Sequence, residues 1–164
     1  MEKGGISVEE QLKDEHIYYM EIAIDEAKNA FELDETPIGA VIVHDGKIIG
    51  KACNRRNTDK NSLAHAEIMA IDEACKYIGD WRLEECTIYI TLEPCPMCAG
   101  AIVQARIPKV VYGASSPKAG FGGSVINILQ MEELNHRCEV ISGICEEESS
   151  ALLKEYFKKM RQKK

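Results

Sequence analysis

A histidine and a glutamate stand two positions apart in LAHAEIMA, residues 63–70, and two cysteines stand three apart in LEPCPMCAG, residues 92–100. His65, Cys95 and Cys98 are residue types that bind zinc, and the Cys-x-x-Cys spacing is typical of metal sites. Taken alone, the cysteine pair is also compatible with a redox-active dithiol, but His65 would then have no role in the site. Three protein ligands would leave a fourth coordination position for water, as in a catalytic zinc site.

Glu67 follows His65 by two residues, where an apolar pattern typical of a helix begins. Positions i and i+2 of a regular helix diverge by about 200°, so both side chains can approach one metal ion only if the histidine lies at the irregular helix entrance. The carboxylate could then exchange a proton with water at the open position. The helix dipole alone also favours a glutamate at this position. A structural zinc site, by contrast, would need a fourth protein ligand, for which Cys53 and His136 are the candidates. We predict a catalytic site with one Zn2+, in which Glu67 is the general base and acid.

The elements that must position these residues are predicted from the apolar periodicity. We predict a flexible extension at residues 1–15 and a single zinc-dependent domain at 16–164. The predicted elements of that domain are a helix from His16 to about 33, strands 38–43 and 48–52 joined by the turn HDGK, a helix from about Ala64 to Gly79, strand 86–92, a helix from Pro96 to about Arg106, strand 109–114, a short helix at 126–134, strand 138–144 and helix 147–162. Helices that alternate with strands indicate an α/β fold with one sheet covered by helices on both faces.

Composition excludes several classes of protein. The chain has 164 residues, of which 45% are hydrophobic and 29% charged, as in ordinary globular proteins. No apolar run approaches the ~20 residues that a membrane helix needs, and the polar N-terminus lacks the apolar core of a secretory signal. Seven cysteines without an export signal argue against a disulfide framework. We therefore expect a cytoplasmic protein without a membrane partner.

Charge is unevenly distributed along the chain. The formal net charge is −7, yet residues 154–164 carry six basic side chains and one acidic side chain, so this segment is +5 and the remainder is −12. A local basic face of this kind can bind a polyanion in spite of the overall charge. A merely solvated helix face is the plainer alternative.

From about Ile17 to Arg161 the sequence resembles the bacterial tRNA-specific adenosine deaminases of the cytidine-deaminase-like superfamily. The matching motifs are PIGAVIV (37–43), AHAEIMA (64–70), WRL (81–83), TLEPCPMCAGAI (91–102), VVYGA (110–114) and LNHR (134–137). The resemblance implies a three-layer cytidine-deaminase-like fold with a five-stranded mixed sheet and one Zn2+ per subunit. It also implies a homodimer that hydrolyses adenosine to inosine at the wobble position of a tRNA anticodon stem-loop.

The same resemblance assigns substrate contacts. Asn54 would hydrogen-bond the base, the Ala66 backbone would contact its edge, and Thr36 and Leu92 would lie near it. The residues expected to contact the rest of the RNA are Ser116, Lys118, Asn135, Arg137 and Phe157.

Two departures from the family pattern are visible. KNSL replaces Asp-Pro-Thr before AHAE, which should make that loop less rigid, and Ser116 replaces an aspartate near the ribose. Two alternative functions stay open at this point. One is a guanine or other free nucleobase or nucleotide deaminase of the same superfamily, and the other is a non-catalytic zinc subunit that only binds RNA.

Overall fold

Helices and strands alternate along the computed structural model, which describes residues 4–163. The elements are α1 (Val8–Glu32), β1 (Gly39–His44), β2 (Lys47–Cys53), α2 (Ala66–Ile78), β3 (Cys86–Leu92), α3 (Pro96–Gln104), β4 (Lys109–Ala114), β5 (Glu139–Ser142) and α4 (Glu146–Gln162). Apart from the start of α1 and the segment 126–134, these elements agree with the predicted ones to within about two residues.

The five strands form one mixed sheet in the order β2-β1-β3-β4-β5. Strand β1 is antiparallel to both of its neighbours, whereas β3, β4 and β5 are parallel to one another. Because β2 and β3 both oppose β1, their carboxyl ends lie at the same edge of the sheet. That edge is where α/β proteins place their sites.

Alternating side chains of the central strands divide the core into two layers. On one face, Ile42 and Ile88 pack with the buried sides of α2 and α3. On the other face, Val41 and Tyr89 pack against α1, and α4 covers β4 on that side. This arrangement confirms the predicted α/β sheet with helices on both faces. In the described residues, 4–163, no helix has the length and apolar character that crossing a bilayer requires.

Helix α1 starts at Val8, so the predicted start at His16 is wrong and residues 8–15 are helical instead of an irregular lead-in. A capping box explains the earlier start. The Ser7 hydroxyl accepts a hydrogen bond from the Glu10 N–H at 3.2 Å, and the Glu10 carboxylate accepts one from the Ser7 N–H at 3.1 Å. His16 is the first buried residue of the helix, which is why the apolar pattern becomes visible only there.

The short helix predicted at 126–134 is absent, and that segment forms turns. The Asn127 side chain accepts a hydrogen bond from the Gln130 N–H, an Asx-type turn that competes with helical hydrogen bonding. Asn127 also bridges to Gly122, and Leu129 is fully buried while its carbonyl accepts the Cys138 N–H at 2.7 Å. Tertiary contacts therefore override the local apolar pattern.

Candidate active site

The first turns of α2 and α3 meet at the sheet edge described above. His65 is the N-cap of α2 and Cys95 is the N-cap of α3, both with extended backbone, and Pro96 opens α3 with a fixed φ. Cys98 lies within the first turn of α3 and is fully buried. His65 therefore does lie at the helix entrance, which is the geometry that the His-x-Glu spacing demanded.

Three donor atoms converge between these helix ends. His65 Nδ1 lies 3.6 Å from Cys95 Sγ and 3.5 Å from Cys98 Sγ, and all three donor atoms are within 4.8 Å of one another. Zinc–sulfur and zinc–nitrogen bonds at tetrahedral angles place such atoms roughly 3.5–3.6 Å apart. None of the seven cysteines, all of which lie within the described residues, forms a disulfide bond. The donor set thus fits one zinc ion and leaves one coordination position open.

The two thiols hold their protons unequally. A hydrogen bond from the Cys98 thiol lowers the pKa of Cys95 to about 5, against the opposing effect of burial, with help from the N–H groups of Cys98 and Met97 and from His65. The same hydrogen bond, together with burial, raises the pKa of Cys98. Binding of a divalent cation would displace the protons that remain on the two thiols.

Glu67 faces the same site from the first turn of α2. Its side chain is 4% exposed, and burial raises the pKa of the carboxyl group. A cavity of about 140 Å³ is lined by Glu67 and His65 together with Thr36, Ile38, Asn54, Arg56 and Ala66. A larger cavity of about 800 Å³ beside β2 is lined by none of the three donor residues, so the small cavity is the one that adjoins the chemistry.

Asn54 connects two segments of the cavity wall. Its Nδ2 donates to the Thr36 carbonyl and its Oδ1 accepts from the Arg56 N–H, both at 3.2 Å. These bonds close the base of the β1–β2 hairpin. The structure thus brings three of the predicted base contacts, Thr36, Asn54 and Ala66, to the cavity. Arg56, which sequence reasoning missed, also lines the cavity. The only signal in the sequence was its place two residues after Asn54, in the run Asn-Arg-Arg.

The approach to α2 is held by side-chain hydrogen bonds. The buried Glu35 accepts from the Thr58 N–H at 2.6 Å and from the Thr58 hydroxyl at 3.0 Å. The Asn61 side chain accepts from the Leu63 N–H at 2.9 Å, which forms an Asx turn. One oxygen of Glu35, Oε2, is buried without a protein partner. Sequence reasoning missed Glu35, whose only signal was an acidic residue directly before the PIGAVIV strand.

Six predicted substrate contacts do not line the cavity. They are Leu92 at the end of β3, Ser116 and Lys118 in the loop after β4, Asn135 and Arg137 before β5, and Phe157 on α4. Phe157 is 48% exposed, so its ring is available for a contact outside the core. Nearby, Lys159 and Lys163 form ion pairs with Asp34 at 2.9 and 3.1 Å, which tie α4 to the segment before Thr36.

Glu93, like Glu35, is a buried acidic residue that sequence reasoning missed. It is 2% exposed and lies between β3 and the cysteine turn. Although burial opposes the charged form, hydrogen bonds from the Ser124 hydroxyl and from the N–H groups of Ser116, Ser124 and Gly122 lower the pKa of Glu93. A charged residue directly after an apolar strand was the only signal in the sequence.

Comparisons with known proteins agree with this geometry. The model of the MafB19-like deaminase family matches residues 14–161. The tRNA-specific adenosine deaminase of Bacillus subtilis (strain 168) is 56% identical over 146 residues, which cover 89% of this chain and 91% of that protein.

Two solved structures share the fold. One comes from studies of A-to-I editing by tRNA:A34 deaminases at the wobble position of transfer RNA; it has a TM-score of 0.80 and 44% identity, covering 83% of this chain and 99% of that one. A guanine deaminase from Bacillus subtilis has a TM-score of 0.59 and 42% identity, covering 61% and 64%. The chain therefore belongs to the MafB19-like deaminase family, as a relative of the bacterial tRNA-specific adenosine deaminases.

Proposed function

We propose that this chain hydrolyses adenosine to inosine at the wobble position of a tRNA anticodon. The observation that carries the proposal is the convergence of His65, Cys95 and Cys98 next to a small cavity that His65 and the buried Glu67 both line. The relative from Bacillus subtilis, which is named a tRNA-specific adenosine deaminase, spans nearly the same length of chain. The substrate class is taken from this relative, and the chemistry is taken from the donor set.

We further propose that His65, Cys95 and Cys98 hold one zinc ion per subunit. When bound there, zinc would supply a Lewis acid that makes water more acidic near neutral pH. The reaction consumes one water molecule and releases ammonia, so the two protons that water loses end on the ring nitrogen and on the departing amine. Glu67 is the one carboxylate that lines the cavity, and we assign it to carry those protons. Asn54 and the Ala66 backbone would orient the base.

A direct test is mass spectrometry of nucleosides after incubation of the zinc-loaded protein with an anticodon stem-loop RNA that has adenosine at the wobble position. We expect inosine at that position and none in a matched stem-loop with guanosine there. Absence of inosine from the first RNA would overturn the proposal.

A free-base deaminase is the second candidate, favoured by the structural similarity to a guanine deaminase. Incubation with free guanine, followed by assay of released ammonia, separates the two. The adenosine proposal expects turnover of the stem-loop alone.

A non-catalytic RNA-binding role is the third candidate, and the presence of Glu67 in the cavity argues against it. The variant Glu67→Ala is expected to retain zinc and RNA binding while it forms no inosine. Inosine formation by this variant would remove Glu67 from the mechanism.

We also propose a cytoplasmic homodimer that binds the anticodon stem-loop through Phe157, Lys118, Arg137, Asn135 and Ser116. Free cysteines and a tRNA substrate support the cytoplasmic assignment. A monomer at micromolar concentration in analytical ultracentrifugation would contradict the dimer. Binding of the stem-loop should weaken as salt rises, because phosphate contacts release counterions; a salt-independent affinity would exclude the basic side chains from the interface.

A further inference from the structure

The loop of residues 115–124 is folded around one buried carboxylate. Glu93 Oε1 accepts hydrogen bonds from the Ser116 N–H, at 3.0 Å, and from the Ser124 hydroxyl. Glu93 Oε2 accepts from the N–H groups of Gly122 and Ser124, each at 3.0 Å. A carboxylate has about four lone-pair positions, so these four bonds fill its capacity.

Apart from Phe121, which packs against the core, this loop is ordered by hydrogen bonds. Its side chains from Ser115 to Ala119 are exposed or half-buried and cannot supply an apolar core. Gly120 is packed directly on the carboxylate, since a Cβ at that position would lie 2.2 Å from Glu93 Cδ. Beyond Glu93, the Phe121 N–H donates to the Pro94 carbonyl at 2.8 Å. The Glu93 carboxylate therefore joins the two ends of the loop, at Ser116 on one side and at Gly122 and Ser124 on the other.

The same residue is tied to the metal donors by the backbone. The Glu93 N–H donates to the Ala114 carbonyl at 2.8 Å, which joins the ends of β3 and β4, and Cys95 follows two residues later. This connection and the hydrogen bond from the Phe121 N–H to the Pro94 carbonyl join the loop to the segment that carries Cys95.

We propose that Glu93 is a positioning residue, whose carboxylate fixes the loop that carries Ser116 and Lys118, the residues proposed above to contact the RNA, without itself touching the substrate. The inference rests on the proposed function only in its kinetic consequence, because the loop geometry is independent of any substrate. Glu93 does not line the cavity, and its oxygens are already occupied, which excludes it from proton transfer.

The first experiment needs no substrate. In the variant Glu93→Gln, an NH₂ group replaces one oxygen and faces at least one donor of the loop, which leaves that donor unpaired. Hydrogen–deuterium exchange of the zinc-loaded protein should then accelerate about tenfold or more at Ser116, Gly122 and Ser124. The amides of α2 and α3 should be unchanged. Unchanged exchange in the loop, or equal acceleration throughout the chain, would overturn the proposal.

The second experiment measures kinetics on the anticodon stem-loop RNA. Glu93→Gln should raise KM about tenfold, the equivalent of one lost polar contact, while kcat stays within about threefold and zinc content is unchanged. A purely structural role would lower the active fraction, and hence kcat, at constant KM. That result would overturn the positioning role.

Three further variants keep the test independent of the Glu93 charge and of the folding of the Glu93→Gln protein. Gly120→Ala places a methyl group against the carboxylate and should reproduce the rise in KM. Gly100→Ala, on α3, adds a Cβ with nothing within 4 Å and should leave KM unchanged. Ser124→Ala removes one of the four bonds and should have a smaller effect than Glu93→Gln. A Gly120→Ala protein with wild-type KM and wild-type loop exchange would contradict the proposal.

Failure of the proposed function has a different signature. If the wild-type protein forms no inosine, the exchange experiment still decides whether Glu93 orders the loop. If the wild type is active and the Glu93→Gln variant keeps its KM, only the positioning role fails.

Discussion

Two buried glutamates flank the metal donors and serve in contrasting environments. Glu67 follows His65 by two residues and is 4% exposed, and Glu93 precedes Cys95 by two residues and is 2% exposed. Glu67 lines the cavity, whereas Glu93 accepts four hydrogen bonds from the loop after β4. Similar sequence distance from Cys95 or His65 and similar burial thus give one side chain that lines the cavity and one whose oxygens are occupied by a loop.

The difference lies in hydrogen bonds, because burial acts on both carboxylates in the same direction. Burial raises the pKa of Glu67, and few donors compensate for it. At Glu93 burial also favours the neutral form, but four donors outweigh it and the pKa is lowered. Glu67 is therefore available for proton transfer, whereas the oxygens of Glu93 are occupied by the loop.

The variant Glu67→Gln should give the largest effect. Loss of general acid and base catalysis predicts a fall in kcat of about 10²–10⁴-fold on the stem-loop RNA. Its melting temperature should be no lower than that of the wild type, since an amide removes the cost of a buried acid with few partners. Steady-state kinetics and thermal unfolding of the zinc-loaded protein measure both. If Glu67→Gln kept kcat within tenfold of the wild type, or lost much stability, the proposed difference in role between Glu67 and Glu93 would be wrong.

A pair of substitutions at the structural carboxylates should give the next effect. Glu93→Gln leaves at least one loop N–H unpaired and should lower the free energy of unfolding by about 1–3 kcal/mol. Glu35→Gln can keep both bonds from Thr58 on one oxygen and replaces the oxygen that has no partner. It should cost less than about 1 kcal/mol. Urea unfolding compares the two, and equal losses would show that saturation of the oxygens is not what matters.

The contrast also separates what the sequence predicts from what it does not. His65, Cys95, Cys98 and Glu67 were predictable because ligand type, spacing and helix entrance all constrain them locally. The sheet was predictable from apolar periodicity. Glu93 and Glu35 were not, since their partners lie 23–31 and 23 residues away in the chain. The start of α1 was missed because a capping box, not an apolar residue, defines it, and the segment 126–134 was wrong because Asn127 and buried Leu129 favour turns.

A third buried titratable residue, His16, should give the smallest effect, a change in how stability depends on pH. His16 lies on the opposite face of the sheet, 7% exposed, with Nδ1 2.9 Å from the Tyr89 hydroxyl. Burial lowers the pKa of His16, and Lys109 adds to this, while Glu15 and Glu139 act in the opposite direction. The unfolded chain therefore binds the proton first as pH falls.

It follows that the stability contributed by His16 is present above about pH 6.5, the ordinary histidine pKa, and is lost as pH falls towards the lower pKa of the folded state. One proton limits the slope to about 1.4 kcal/mol per pH unit. In His16→Gln, the decrease in melting temperature between pH 7 and pH 5.5 should be smaller than in the wild type. An identical decrease would place the acid sensitivity elsewhere. Because His16 lies on the opposite face of the sheet from the cavity, kcat of the folded protein should depend on pH in the same way in His16→Gln and in the wild type.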